Sequence, residues 1–297
     1  MPVDETFAAF RDKWLNNPDA TFRATLTEGS TLQRWILARN GFAGPREFAE
    51  WLSGRKRILD AGCGNGRVTA LLAMHAPADC EICGIDFASA AVATANLSDH
   101  ANVQIAERDL LEDLSDLGRF DLIYCQEVLH HTKDPRRAFA NLAGLLAPGG
   151  EIAIYVYKVK APVREFTDDF LRAKLAGLPY EDAMQVARAL TELGKRLSAI
   201  EQEITVPAID PLGIPAGTYP VQRLVYHFFM KCFWNGELSF EENAVINFDW
   251  YRPQLASRHT LAEVRGWFEA CGLAIRHECV DEYGITLRGR SGDAGRN

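Results

Sequence analysis

The run Ile58-Leu59-Asp60-Ala61-Gly62-Cys63-Gly64-Asn65-Gly66-Arg67 decides the fold of this chain. Its apolar opening, Ile58-Leu59, ends a strand, and the residues from Arg67 to His75 are predicted to form a helix. Glycines between a strand and a helix permit a tight turn and let the backbone come close to a bound ligand. Outward from this turn the same alternation repeats. Strands are predicted at Glu81–Ile85, Val103–Ala106, Phe120–Cys125 and Glu151–Tyr157, with helices at Ala88–Leu97 and Pro135–Leu146. The second of these helices is expected to stop at Pro148-Gly149-Gly150, where glycine suits a C-cap and proline blocks continuation. After a long interruption the pattern resumes with a helix, Thr260–Cys271, and strands Ala274–Val280 and Gly284–Leu287. Strands and helices alternating at this spacing imply an α/β fold with a doubly wound, Rossmann-like, mostly parallel sheet of seven strands.

A glycine-rich turn alone fits several nucleotide ligands. The dinucleotide fingerprint wants a further glycine where Arg67 stands, and a P-loop would need Gly-Lys-Ser/Thr, which is absent. Acidic and amide residues at successive strand ends narrow the choice. Asp86 closes the second strand, where a carboxylate can accept both hydroxyls of a ribose. Asp109 follows the third strand, within reach of an adenine amino group, and Gln126 follows the fourth. Any one of these side chains is also what a helix cap uses. Together, along one edge of one sheet, they favour a nucleoside site.

These stretches resemble class I S-adenosylmethionine-dependent methyltransferases. Ile58 to Gly66 looks like their first motif, Gly84-Ile85-Asp86-Phe87 their second-strand motif, and Arg108-Asp109-Leu110 their third. Phe120-Asp121-Leu122-Ile123-Tyr124-Cys125-Gln126-Glu127-Val128-Leu129-His130-His131 is similar to the fourth, and Leu145-Leu146-Ala147-Pro148-Gly149-Gly150 to the lead into strand five. The resemblance covers roughly residues 55–157 and the closing helix and strands. It implies S-adenosyl-L-methionine as cofactor and S-adenosyl-L-homocysteine as product. Asp60, Gly62, Cys63, Gly64, Asn65 and Gly66 would face the methionine part, Asp86 and Phe87 the ribose side, Asp109 and Leu110 the adenine. Gln126 would lie beside the ribose and methionine, and Arg39 could close over the cofactor carboxylate. Cys63 is then a packed turn residue and not a nucleophile. The resemblance names no acceptor.

Methyl transfer to an oxygen or nitrogen acceptor wants a nearby base. His130 and His131 follow the fourth strand, and Tyr157 ends the fifth, so these three are the candidate catalytic side chains, each with a packing role as its alternative. Lys158, Arg164, Trp250 and His259 are the candidate acceptor contacts; Arg suits an anionic group. Asp168-Asp169 with Arg172 fits a helix-surface ion-pair group better than acceptor recognition. Leu190, Leu193, Leu197, Ile200 and Ile204 recur as the packing stripe of one long helix. The division expected is an N-terminal helical segment over 1–54, the cofactor core over 55–157 and an inserted helical cap over 158–258. The last helix and strands follow over 259–290, with a tail over 291–297.

The 297 residues carry 32 basic and 40 acidic side chains, a formal net charge of −8, which disfavours a binder of nucleic-acid backbone. The cap favours an enclosed small-molecule acceptor over RNA or protein, and intact motifs favour an enzyme over a cofactor-binding scaffold. Seven scattered cysteines do not suggest a disulfide framework, and Cys80 and Cys83 lack a second pair at zinc-site spacing, so no metal is expected. The charged stretch Met1–Ala20 lacks a signal-peptide core and no run is long enough to span a membrane, which makes a cytoplasmic location the expectation. A homo-oligomer is left open.

Overall fold

The strand, turn and helix around Asp60 position everything else. In the computed structural model, which describes residues 5–292, Arg57–Ala61 forms β1 and Arg67–His75 forms α5. The first parallel strands continue with β2 (Glu81–Asp86), β3 (Val103–Glu107), β4 (Phe120–Gln126) and β5 (Leu146–Tyr157). The closing strands are β8 (Ala274–Val280) and β9 (Gly284–Arg290), after β6 (Glu203–Val206) and β7 (Gly217–Pro220) of a separate hairpin. Among the described residues they form a seven-stranded sheet in the order β3-β2-β1-β4-β5-β9-β8. β1 to β5 pair in parallel, and β9 runs antiparallel between β5 and β8.

The chain winds from β1 outward through β2 and β3, then returns to place β4 on the other side of β1. Loops leaving β1 and β4 therefore diverge, and ligands of open α/β sheets bind at such a switch point. Register aligns the strand ends there. Ala61 pairs with Ile85, Asp60 with Tyr124, and Gln126 with Tyr155.

Both faces of the sheet are covered, so its strands are apolar on both sides, as buried parallel strands require. On one face Ile58, Ile82, Leu122 and Ala153 pack with Ile36 of α3 (Thr31–Arg39), Phe48 of α4 (Pro45–Leu52) and Leu71 of α5. On the other, Leu59, Ile123, Ile152 and Ile154 pack with Phe139 of α7 (Pro135–Ala143) and Trp267 and Phe268 of α12 (Leu261–Ala270). One boundary needs correction. α7 ends at Ala143 with Gly144 as its C-cap, and Pro148-Gly149-Gly150 lies inside an irregular start of β5, where the β4 register shifts between Phe120 and Leu122. A Cβ on Gly150 would come within 2.8 Å of the Ala147 carbonyl and 2.9 Å of that of Phe120, so the crowding of backbone against backbone selects glycine there.

The chain divides into two compact units. Thr21–Lys158 with the residues from Ser257 onward hold the sheet, its helices, and α2 (Phe22–Leu26) to α4. The inserted residues Val159–Ala256 form the other with the described residues up to Ala20, including α1 (Glu5–Asn16). The helices of residues 1–54 are thus shared between the two. Of the expected tail over 291–297, the part from 293 lies outside the described residues.

Inside the second unit the expected helical stripe holds at Leu190 but not throughout. α9 (Tyr180–Ser198) buries Ala183, Met184, Ala187, Leu190, Thr191 and Gly194, while Leu193 is exposed and the helix ends before Ile200 and Ile204, both also exposed. Gly194 is where the Cys232 carbonyl passes, 2.4 Å from an added Cβ, so small residues and not leucines set the contact. α8 (Pro162–Leu175) turns its charged stripe inward. Arg164, Asp168 and Arg172 are buried, while Phe166 and Phe170 are 75% and 54% exposed.

Candidate active site

The glycine turn adopts a conformation only glycine tolerates well. Gly62, Gly64 and Gly66 have φ of +81°, +59° and +87°, the left-handed region, at alternate positions. The Gly62 and Cys63 amides donate to the Ile85 carbonyl at 2.7 and 3.0 Å, which ties the turn to the end of β2. Asp86 completes that tie. Its Oδ2 accepts from the Gly64 amide at 3.0 Å, and its Oδ1 from the Ala88 and Ser89 amides, both at 2.8 Å. One carboxylate therefore fixes the turn and starts the next helix. Oδ2 keeps acceptor capacity for a hydroxyl.

Asp60 lies beneath the turn, buried, with Thr69 Oγ1 donating to its Oδ2 at 2.6 Å. Burial pushes its carboxyl up to about 7, against the Thr69 hydrogen bond and the positive charge of Arg67, which pull it down. Burial likewise raises the Cys63 thiol, with Asp86 and Asp60 adding to the effect, so it is held as the neutral thiol. The Asn65 side chain is wholly buried in the turn, where its Oδ1 accepts from the Arg67 amide at 3.4 Å, and its backbone carbonyl accepts from Asn96 Nδ2 at 2.9 Å. Beyond β2, Phe87 is 46% exposed, and Asp109 spends Oδ1 on the Leu111 amide at 2.9 Å beside the buried Leu110.

Two buried donors at the same edge meet no hydrogen-bond acceptor among the described residues. Asn40 Nδ2 donates to the Tyr124 hydroxyl at 2.9 Å, which donates to Gln126 Oε1 at 2.7 Å. This chain orients the Gln126 amide and leaves its Nε2 buried with no partner. Burial pushes the Tyr124 hydroxyl up to about 12, which keeps it a donor. Arg39 is 2% exposed, and all three guanidinium nitrogens lack a hydrogen-bond partner. Its Cζ is clasped by two rings, 3.8 Å from the Trp35 centroid and 4.1 Å from that of Tyr155. An uncompensated buried cation is costly, so this arrangement calls for an anion. Trp35 and Tyr155 were not foreseen. The helical spacing of Trp35 and Arg39, four residues apart, was the available signal.

The candidate catalytic residues come together. The His130 ring stacks on Tyr157 with centroids 3.6 Å apart, and His131 lies 4.4 Å from His130 and edge-on to Tyr157 at 5.6 Å. His130 is fully buried and His131 half-buried. The segment after the insertion braces both strands' ends: the Ser257 amide donates to the His130 carbonyl at 2.8 Å and the His259 amide to that of Tyr157 at 2.9 Å.

The expected acceptor contacts separate. Lys158, half-buried, bridges to His259. His259 is buried, its Nε2 2.9 Å from Ser257 Oγ and its Nδ1 2.9 Å from Glu263 Oε1. Both ring nitrogens are thus engaged in bracing the fold. Arg164 and Trp250 lie in the interior of the inserted unit, where Arg164 Nε and Trp250 Nε1 donate to Asp168 Oδ2 at 2.5 and 2.8 Å. Asp168 Oδ1 accepts from the Tyr251 hydroxyl at 2.9 Å. Asp168 is therefore no surface group but the centre of a buried network, and Arg164 and Trp250 are its structural partners.

Comparison with known proteins agrees with this geometry. Residues 59–152 match the family described as a methyltransferase domain. An uncharacterised protein of Synechococcus is 38% identical over 149 residues, 46% of this chain and 34% of that protein. A ubiquinone biosynthesis O-methyltransferase of Alkalilimnicola ehrlichii is 41% identical over 107 residues, 34% of this chain and 41% of that enzyme. The chain thus spans less than half the length of these curated relatives. Among solved structures, an O-methyltransferase family protein from Burkholderia thailandensis aligns over 94% of this chain and 59% of its own, with TM-score 0.51 and 15% identity. DhpI in complex with S-adenosylhomocysteine aligns over 97% of this chain and 96% of its own, with TM-score 0.51 and 13% identity. Motif, strand order and family match agree in supporting a class I S-adenosylmethionine-dependent methyltransferase domain over residues 59–152.

Proposed function

We propose that the protein transfers a methyl group from S-adenosylmethionine to an oxygen or nitrogen of a small molecule. The observation that carries this is the pair of buried, unpartnered donors, Arg39 and Gln126 Nε2, at the sheet edge that also holds the glycine turn and Asp86. Their chemistry fits the donor's two polar ends. A carboxylate would satisfy Arg39, a ribose would meet Asp86 Oδ2, and Phe87 offers an exposed ring next to it in the chain. When bound, the cofactor supplies a methyl group on a positively charged sulfur. The chain's own residues do the rest. The turn and Arg39 fix the cofactor's orientation, which lowers the entropic part of the barrier. His131, half-buried beside Tyr157, takes the proton of the acceptor's hydroxyl or amine, leaving a lone pair to attack. His130, stacked on Tyr157 and braced by Ser257, holds that histidine in place.

Relatives named as ubiquinone biosynthesis O-methyltransferases support an oxygen as the accepting atom, and the net charge of −8 opposes an RNA backbone. We assign acceptor recognition to the inserted residues 158–258, because they leave the core directly after Tyr157. Calorimetric titration with S-adenosylhomocysteine tests the reading: saturable binding is expected, and a silent titration ends it. Arg39→Met should weaken that binding by about 1.5 kcal/mol, roughly tenfold. The same change should leave methylthioadenosine, which has no carboxylate, unaffected; an equal loss for both ligands would remove Arg39 from the carboxylate.

A further inference from the structure

Glu127, immediately after β4, is a non-glycine residue with φ of +61°. A residue with a Cβ adopts this left-handed conformation only where its surroundings impose it. Arg67 is the side chain that meets Glu127. From the first position of α5, its Nη2 reaches Glu127 Oε2 at 3.0 Å, and its Nη1 donates to Thr25 Oγ1 of α2, also at 3.0 Å. Thr25 is fully buried and itself donates to the Thr21 carbonyl at 2.9 Å, so the guanidinium is anchored at one end and holds the carboxylate at the other.

The consequence runs along the chain from Glu127. The next residue, Val128, lies against the glycine turn: a Cβ on Gly62 would come within 2.3 Å of its side chain. The Val128 carbonyl then accepts from the His131 amide at 2.8 Å, closing the short helical turn Leu129–His131 that carries both histidines. We propose that Arg67 is a positioning residue, whose ion pair with Glu127 holds the β4 loop in its left-handed bend and so sets the glycine turn and the histidine turn in one fixed relation. The function assigned to those two turns rests on the reading above; the mechanical claim does not.

Glycine adopts φ of +61° without strain, which supplies the test. If Arg67 works by holding the bend, Glu127→Gly makes it dispensable. Hydrogen exchange on the full chain, without any ligand, reads the bend through the amides of His131 and Thr132. Arg67→Met should speed their exchange about tenfold or more in the native background and no more than about twofold in the Glu127→Gly background. Affinity for S-adenosylhomocysteine should follow the same pattern, weakened severalfold by Arg67→Met alone and restored when Glu127→Gly is added. Equal effects in both backgrounds, or no effect in either, would overturn the proposal. If Arg67→Met does not fold, Arg67→Gln, which stays polar but removes the charge facing Glu127, takes its place with the same pair of backgrounds. Failure of the wild-type chain to bind S-adenosylhomocysteine, with the exchange pattern as expected, would remove the functional reading and leave the positioning role standing.

Discussion

The glycine turn and α8 show two ways of specifying a structure. In the turn the backbone carries the information: three glycines at left-handed angles and one carboxylate gathering amides from Gly64, Ala88 and Ser89. In α8 the side chains carry it, in an order that inverts the usual pattern, with Arg164, Asp168 and Arg172 inside and Phe166 and Phe170 outside. A local backbone requirement leaves a signature in adjacent residues. A buried ion network depends on partners far along the chain, here Tyr226, Trp250 and Tyr251, and leaves none.

The largest effect should come from α8. Asp168→Asn leaves the Arg164 guanidinium buried without its counter-charge, and unfolding in urea should show a loss of about 3–5 kcal/mol. A loss below about 1 kcal/mol would place the network at the surface after all, and the contrast would collapse. Next comes Asp60. Its carboxyl is raised from an ordinary 3.8 to about 7 in the folded chain, so the native state holds this proton more tightly than the unfolded one. The associated stability is complete below about pH 4 and disappears as pH climbs through about 7. Compared with Asp60→Asn, the native chain should therefore lose on the order of 2–4 kcal/mol between those limits. Parallel pH profiles for the two would show that Asp60 is not desolvated as the geometry demands.

Asp86→Ala removes an acceptor from three backbone amides and from the ribose site proposed above. Affinity for S-adenosylhomocysteine should fall by about 2–3 kcal/mol, roughly 30- to 140-fold. Normal binding would detach Asp86 from the cofactor site. The smallest change is expected at Phe170. An exposed ring contributes little, so Phe170→Ser should move unfolding stability by no more than about 0.5 kcal/mol. A large loss would mean that the aromatic side of α8 is covered.

What could be read from sequence follows this division. β1, α5, β2 and the Asp86 position are legible because strand periodicity, glycine punctuation and an acidic strand end are local features. The end of α7 was displaced because Pro148-Gly149-Gly150 suits a helix stop and a strand irregularity equally, and only pairing with Phe120 decides. The stripe through Leu193 and Ile200 failed because Gly194, facing the Cys232 carbonyl, sets which side of α9 is close-packed. The proposed role of Arg39 is suggested by its place in a turn, whereas its aromatic clasp needs Tyr155 from β5. The bend at Glu127 had no signal, since nothing about a glutamate announces a left-handed backbone.

The antiparallel β9 has a consequence for how the chain is made. β5 has β4 on one side, but its other neighbour comes from residues 284–290, and the inserted residues 159–256 are synthesised between them. Until those residues leave the ribosome, Ile152, Ile154 and Val156 sit on a strand whose outer hydrogen-bonding edge is open. Such an edge can pair with another chain. The nascent protein therefore passes through a long interval in which this apolar strand is an unguarded edge, and the arrival of β9 is what closes it.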